Sequence, residues 1–169
     1  MSDIRLDPLS PADFDALAAL AHTIWHGHYG HFIAPAQLDY MLAGRFTPAN
    51  LQRYVDSDAR WLRVLRIDGE AAGYCSWSLG ERPDEMKLEQ LYLLPAFKGR
   101  GLGGRMMRAI EDDARARGRS VLFLTVNKGN ADSIAIYRKS GFTVREAAIF
   151  DIGNGYVMDD YVMEKRLVD

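Results

Sequence analysis

Apolar positions along the chain switch between a helical and a strand period several times. Ile4 to Leu6 predicts a short first strand, stopped by Pro8. Ser10-Pro11-Ala12-Asp13 is a helix start, with a serine cap, proline at the first helical position and an acid in the first turn. Phe14, Leu17, Ala21, Ile24, Trp25 and His28 then share one helical face, and Gly27 and Gly30 end that helix before His31. A second helix is expected after Pro35, through Ala43, and Thr47-Pro48 opens a third piece through Tyr54. Arg60–Arg66 and Glu70–Leu79 read as strands joined by an Asp68-Gly69 hairpin turn. Met86–Leu94 adds a third strand to this antiparallel meander. Leu102, Met106, Met107, Ile110 and Ala114 mark a long helix that stops at Gly118, with Glu111 and Arg115 spaced for an ion pair on its solvent face. Ser120–Val126 is a buried strand, and a strand–helix–strand crossover makes it parallel to Met86–Leu94. Asn130–Ser140 is a short helix closed by Gly141, and Phe142–Asp151 and Tyr156–Glu164 form a last strand pair across Gly153-Asn154-Gly155. The class is α/β with a mixed sheet, and 1–169 reads as a single domain without repeats or linkers.

The turn between the Met86–Leu94 strand and the long helix carries the first candidate chemistry. Gly99, Gly101, Gly103 and Gly104 stand beside Lys98 and Arg100. Strand, glycine loop and helix together aim free backbone N–H groups at an anion, with no Cβ in the way. Three phosphate-binding readings compete. A P-loop requires Lys-Ser or Lys-Thr after its glycines, and neither is present. Gly99, Gly101 and Gly104 match a dinucleotide-binding spacing, but that motif opens a fold and here follows more than eighty residues. The third reading is a coenzyme A loop, and a glycine turn that binds nothing is the plain alternative.

Net charge of −2 over 169 residues gives no electrostatic case for nucleic acid. One cysteine, Cys75, excludes an internal disulfide and fits a reducing compartment. MSDIRLDPLS lacks the basic and apolar regions of a secretory signal, and no apolar run is long enough for a bilayer. The expectation is a cytoplasmic protein with no membrane partner. All four histidines fall between His22 and His31. His22 and His26 are spaced i, i+4, but no Glu follows His22, and no cysteine or clustered carboxylate nearby completes a ligand set. No metal is therefore expected; Trp25, Tyr29 and Tyr40 read as an aromatic, polar pocket wall, with ordinary packing as the rival.

A second motif changes the weight of the glycine loop. Asn130-Ala131-Asp132-Ser133-Ile134-Ala135-Ile136-Tyr137-Arg138-Lys139-Ser140-Gly141-Phe142 resembles the N-x-x-A-x-x-x-Y-x-x-x-G-F pattern of the GNAT N-acetyltransferase superfamily, with Ser133 in place of alanine. Lys98-Gly99-Arg100-Gly101-Leu102-Gly103 resembles that family's [R/Q]-x-x-G-x-[G/A] coenzyme A loop, Lys98 standing where Arg or Gln is preferred. Asn130 and Tyr137 lie two helical turns apart, on one side of their helix. The rival here is an N-cap asparagine and a packed tyrosine. The resemblance covers about residues 60 to 165.

It implies the GNAT acyl-CoA N-acyltransferase fold: a central, mostly antiparallel sheet with flanking helices and one splayed parallel strand pair, Met86–Leu94 and Ser120–Val126. Acetyl-CoA is the implied cofactor. Its pantetheine amides would pair with main-chain groups of Leu91, Tyr92 and Leu93, and its pyrophosphate would rest on amides of Gly99, Arg100, Gly101, Gly103 and Gly104. Lys98 and Arg100 would add charge at the rim, and Asn130, Ser133 and Tyr137 would complete the cofactor side. The implied reaction is acetyl transfer to a primary amine of a small molecule or peptide. An alkyl amine near pKa 10 is about 99.9% protonated at pH 7, so a base is needed. Glu89 is the candidate, with a solvated strand carboxylate as its rival; it could also touch the acceptor, beside Trp25, Tyr29 and Tyr40. A main-chain N–H near Leu91 would support the oxyanion, and Tyr137 resembles the family's proton donor to the leaving sulfur. Asp159 and Asp160 could attract a cationic amine or simply be solvated; with Val126–Asn130 they are similar to the branch that includes polyamine acetyltransferases. A monomer or homodimer would serve. A non-catalytic acyl-CoA-binding regulator is the alternative function.

Overall fold

The computed structural model describes residues 2–167. Its strands are β1 (Ile4–Pro8), β2 (Arg60–Ile67), β3 (Glu70–Leu79), β4 (Glu85–Leu93), β5 (Val121–Asn127), β6 (Thr143–Gly153) and β7 (Tyr156–Arg166). Its helices are α1 (Phe14–Tyr29), α2 (Pro35–Arg45), α3 (Pro48–Leu51), α4 (Leu102–Ala116) and α5 (Ala131–Lys139). The strands form one seven-stranded sheet in the order β1-β2-β3-β4-β5-β7-β6. β4 and β5 are its parallel pair, and their ladder is short: Glu85↔Val121, Met86↔Leu122 and Lys87↔Phe123. β7 lies between β5 and β6, antiparallel to both. The mixed sheet with flanking helices is the fold that the sequence implies. No described helix is long and apolar enough to cross a membrane.

The chain divides into two compact units. The first comprises Met1–Leu79 and Glu89–Ile110. Its start follows the capping logic of the sequence, with Ser10 N–H and Oγ donating to Asp13 Oδ2 at 3.2 and 3.0 Å. That cap opens a 3-10 turn over Pro11–Asp13, and α1 proper begins at Phe14. Phe14, Leu17, Ala21, Ile24 and Trp25 form the buried face of α1. The β2–β3 hairpin turns through Asp68 and Gly69, at φ 51° and 85°, the left-handed pair that a two-residue turn requires. Arg66 on β2 ties down the start of the chain, donating to Asp7 at 3.1 Å and Asp13 at 2.9 Å.

The second unit comprises Gly80–Leu88 and Glu111–Asp169. Leu122, Leu124, Val126, Val162 and Met163 supply much of its buried surface. At one end of β4 the Glu85 carboxylate is buried at 5% exposure. Arg145 on β6 donates to it at 2.7 Å and to Glu164 on β7 at 2.7 Å, stacking its guanidinium 5.4 Å above the Phe123 ring. Glu111 corrects one expectation. It pairs with Arg115 at 3.7 Å, yet it is buried, with Lys165 on β7 as its nearer partner at 3.0 Å. Sequence spacing along one helix gives the pair but not what packs against it.

Removing one member of a buried ion pair strands the other charge. Arg145→Ala is expected to lower unfolding free energy by about 2–3 kcal/mol in urea titrations, moderated by Arg82 at 3.6 Å from Glu85. Adding Glu85→Gln is expected to recover at least half of that loss.

Candidate active site

In the first unit, β4 leads through a 3-10 turn at Pro95–Phe97 into the glycine loop and α4. Gly99 and Gly101 adopt φ of 80° and 74°, with open space around each. The Gly101 carbonyl accepts the first helical bond of α4, from Arg105 N–H at 3.1 Å. The amides just before Arg105 thus belong to the first turn, where a helix has no internal partner for its N–H groups. A Cβ at Gly103 would stand 3.8 and 3.9 Å from the side chains of Leu91 and Leu93, in ordinary contact. Arg100 lies over the Phe97 ring at 5.5 Å, and Lys98 follows the 3-10 turn as its cap. The arrangement offers an anion bare amides and flanking cations.

Glu89 lies on β4 just before this region, and its surroundings were not visible in the sequence. Tyr54 Oη donates to Oε1 at 2.9 Å and Ser78 Oγ donates to Oε2 at 3.2 Å. Its neighbour Gln90 is buried, accepting from Tyr74 Oη at 3.0 Å and donating to Ser76 Oγ at 3.0 Å. Ser76 and Ser78 are two apart on β3 and share a face, whereas consecutive residues of a regular strand point to opposite faces. Glu89 and Gln90, consecutive on β4, nevertheless both reach those serines. Tyr54 feels the carboxylate as well: burial first, then the Glu89 charge and hydrogen bond, push its phenol up to about 12. It therefore stays a neutral donor, and the Glu89 carboxylate has lone pairs beyond the two that these hydroxyls use.

The aromatic wall is built around Trp25, buried, whose Nε1 donates to Tyr74 Oη at 2.8 Å. The Trp25 ring lies 5.4 Å from Tyr29 and 5.8 Å from Tyr92, and the Tyr29 and Tyr92 hydroxyls share a hydrogen bond of 2.6 Å. The structure thus brings Trp25 and Tyr29 to the Tyr92 side chain of β4. Tyr40 stands on α2 at 38% exposure. Cys75 is fully buried, its thiol pushed up to about 12 by burial, so it offers no thiolate.

In the second unit, Asn130 caps α5, its Oδ1 accepting the Ser133 N–H at 3.3 Å. Two turns on, the Tyr137 ring meets Phe142 edge-on at 5.7 Å. Burial alone pushes the Tyr137 phenol up to about 12. Asp160 is the unexpected group. It sits on β7 opposite Asn127 of β5 and Ala148 of β6, at 5% exposure, and its Oδ1 has no hydrogen-bond partner among the described residues. Burial and the adjacent Asp159 push its carboxyl up to about 6, against the pull of Lys87. The sequence offered only the Asp159-Asp160 pair, with no sign of which one is buried.

A carboxyl whose folded pKa is raised adds stability that is complete below the unfolded value and is lost as pH rises through the folded one. Asp160→Asn is therefore expected to be more stable than wild type at pH 8. The gain is about 1 kcal/mol after solvent screening, roughly 2–4 °C in Tm, fading between pH 6 and pH 4. A variant less stable than wild type at pH 8 would show that the carboxylate is satisfied.

Comparisons with known proteins agree with this fold. The family model of the acetyltransferase (GNAT) family matches residues 18–142. An uncharacterized N-acetyltransferase of Mycobacterium tuberculosis is 29% identical over 156 residues, covering 92% of this chain and 99% of that protein. Streptothricin acetyltransferase of Streptomyces lavendulae is 34% identical over 87 residues, 52% of this chain and 46% of that one. The crystal structure of PaiA N-acetyltransferase from Thermoplasma acidophilum in complex with coenzyme A superposes with a TM-score of 0.82, at 20% identity, over 97% of this chain and 99% of that one. The relatives carry catalytic names, so the alternative of a non-catalytic regulator is not favoured. The chain belongs to the acetyltransferase (GNAT) family, as an enzyme that moves the acetyl group of acetyl-CoA to an amine.

Proposed function

We propose that the acceptor is a primary amine of a small molecule or peptide and that Glu89 is the base that makes it nucleophilic. The observation that carries this reading is the pair of hydroxyls on the Glu89 carboxylate, Tyr54 at 2.9 Å and Ser78 at 3.2 Å. They orient it while leaving lone pairs for an ammonium or a bridging water. Glu89 takes one proton from the ammonium, the neutral nitrogen attacks the thioester carbonyl and the C–S bond breaks; the second proton, shed as the amide forms, neutralises the departing thiolate. Acetyl-CoA supplies the activated acetyl group. A main-chain N–H near Leu91 holds the carbonyl oxygen as it gains charge.

Tyr137 is assigned as a hydrogen-bond donor to the departing sulfur. With its phenol at about 12 and a thiol near 8.5, full proton transfer is uphill by about 5 kcal/mol, which favours donation over transfer. For the cofactor, main-chain groups of Leu91, Tyr92 and Leu93 pair with pantetheine amides. Amides from Gly99, Arg100, Gly101, Gly103 and Gly104 take the pyrophosphate, with Lys98 and Arg100 beside them; Asn130, Ser133 and Tyr137 are further cofactor residues. The open space at Gly99 and Gly101 supports the loop assignment. Trp25, Tyr29 and Tyr40, with Glu89, are assigned to the acceptor, and the unpartnered Asp160 oxygen is a further group that an acceptor's ammonium would satisfy. The family match runs through both compact units, which supports one acetyltransferase domain over 1–169. A cytoplasmic enzyme, monomer or homodimer, with no nucleic-acid or membrane partner completes the proposal.

The test is thiol release from acetyl-CoA against a panel of amines. Glu89→Gln is expected to lower kcat/KM about 100-fold or more at neutral pH with acetyl-CoA affinity unchanged. Tyr137→Phe is expected to lower kcat about tenfold. Wild-type rates in Glu89→Gln would place the base elsewhere.

A further inference from the structure

Three metal-ligating side chains meet where α1 faces α2, within the first unit. His22 and His26 lie one turn apart on α1, their rings 4.4 Å between centroids. Asp39 comes from α2, its Oδ1 2.9 Å from His26 Nε2. One donor atom from each residue lies within 4.8 Å of the other two. The two histidines alone form no ligand set in the sequence; helix packing brings in the carboxylate that completes one.

We propose that His22, His26 and Asp39 bind a divalent transition metal ion of the zinc class, with solvent as the fourth ligand. The donor chemistry selects the ion. Two imidazoles and a carboxylate suit Zn²⁺, Co²⁺ or Ni²⁺, whereas Mg²⁺ and Ca²⁺ want oxygen throughout. Ligands at about 2.0–2.2 Å around a tetrahedral ion stand roughly 3.4 Å from one another. The His26–Asp39 contact at 2.9 Å has to open by a few tenths of an ångström, and the widest separation within the 4.8 Å set has to close. Side chains can make both adjustments: Asp39 is 63% exposed and His26 30%, and His22 is exposed. Beside the triad lies an open depression of about 310 Å³, bordered by Ala18, Leu42 and Thr47 as well as His22 and Asp39. It leaves room for the solvent ligand. Leu38 and Leu42 on α2 and Ala21 and Trp25 on α1 are buried, so an ion here pins together two helices whose apolar faces are already covered. The site is separate from the assigned catalytic residues, and its effect is on the stability of the α1–α2 pair.

The test uses untagged full-length protein stripped with a chelator. Calorimetric titration with Zn²⁺ is expected to show one ion per chain, with a Kd of about micromolar, and Co²⁺ to give the intense visible absorption of a tetrahedral site. His26→Ala and Asp39→Asn are each expected to weaken Zn²⁺ binding at least tenfold, while the double variant His28→Ala/His31→Ala binds as wild type. Zn²⁺ is also expected to raise the Tm of wild type but not of His26→Ala. No saturable binding, or equal affinity in wild type and His26→Ala, would overturn the proposal. So would loss of binding in the His28→Ala/His31→Ala variant, which would mean that other histidines hold the ion.

Discussion

The structure turns on a buried amide in β4. Gln90 is satisfied on both sides of its amide group, by the Tyr74 hydroxyl and by Ser76. A buried amide that lost either partner would cost about 1–3 kcal/mol. The Trp25 indole secures Tyr74 in turn, at 2.8 Å, so α1, β3 and β4 share one buried polar chain. The residue before Gln90 reaches the same pair of serines, and Glu89 meets Ser78 and Tyr54 there.

Burial then sorts the ionisable groups into donors and acceptors. Tyr54 and Tyr137 are both pushed up to about 12 and Tyr74 is raised well above its ordinary value, chiefly by loss of water. All three phenols are neutral across the physiological range and keep a proton to donate. Glu89 gathers two of the available hydroxyls. Asp160 is its opposite, a carboxylate with one oxygen that no described residue satisfies. The first is held ready in the free protein; the second carries a cost that a cationic ligand group would relieve.

What the sequence disclosed follows the range of the interactions involved. Local signals were legible: the apolar face from Phe14 to Trp25, the Asp68-Gly69 turn, the positive-φ glycines at 99 and 101, and the Asn130 cap of α5. The mixed sheet and its parallel pair followed from a strand–helix–strand crossover, which has one common hand. Placement of β7 between β5 and β6 was not legible, because nothing local records which edge a returning hairpin will join. Nor were the partners of Glu89 and Gln90, since nothing local records that Ser78 and Ser76 of β3 meet them. Tyr54 is 35 residues from Glu89 in the chain, at the end of a piece whose only sequence signal was its Thr47-Pro48 start. Glu111 misled for the same reason: its i,i+4 partner is local, but Lys165 is 54 residues away.

The central claim is that Tyr54 acts on the reaction through Glu89, and a double-mutant cycle on kcat/KM for amine acetylation tests it most directly. Tyr54→Phe should slow wild type about tenfold and have little effect in the Glu89→Gln background, a coupling of about 1.4 kcal/mol. Equal effects of Tyr54→Phe in both backgrounds would contradict the account.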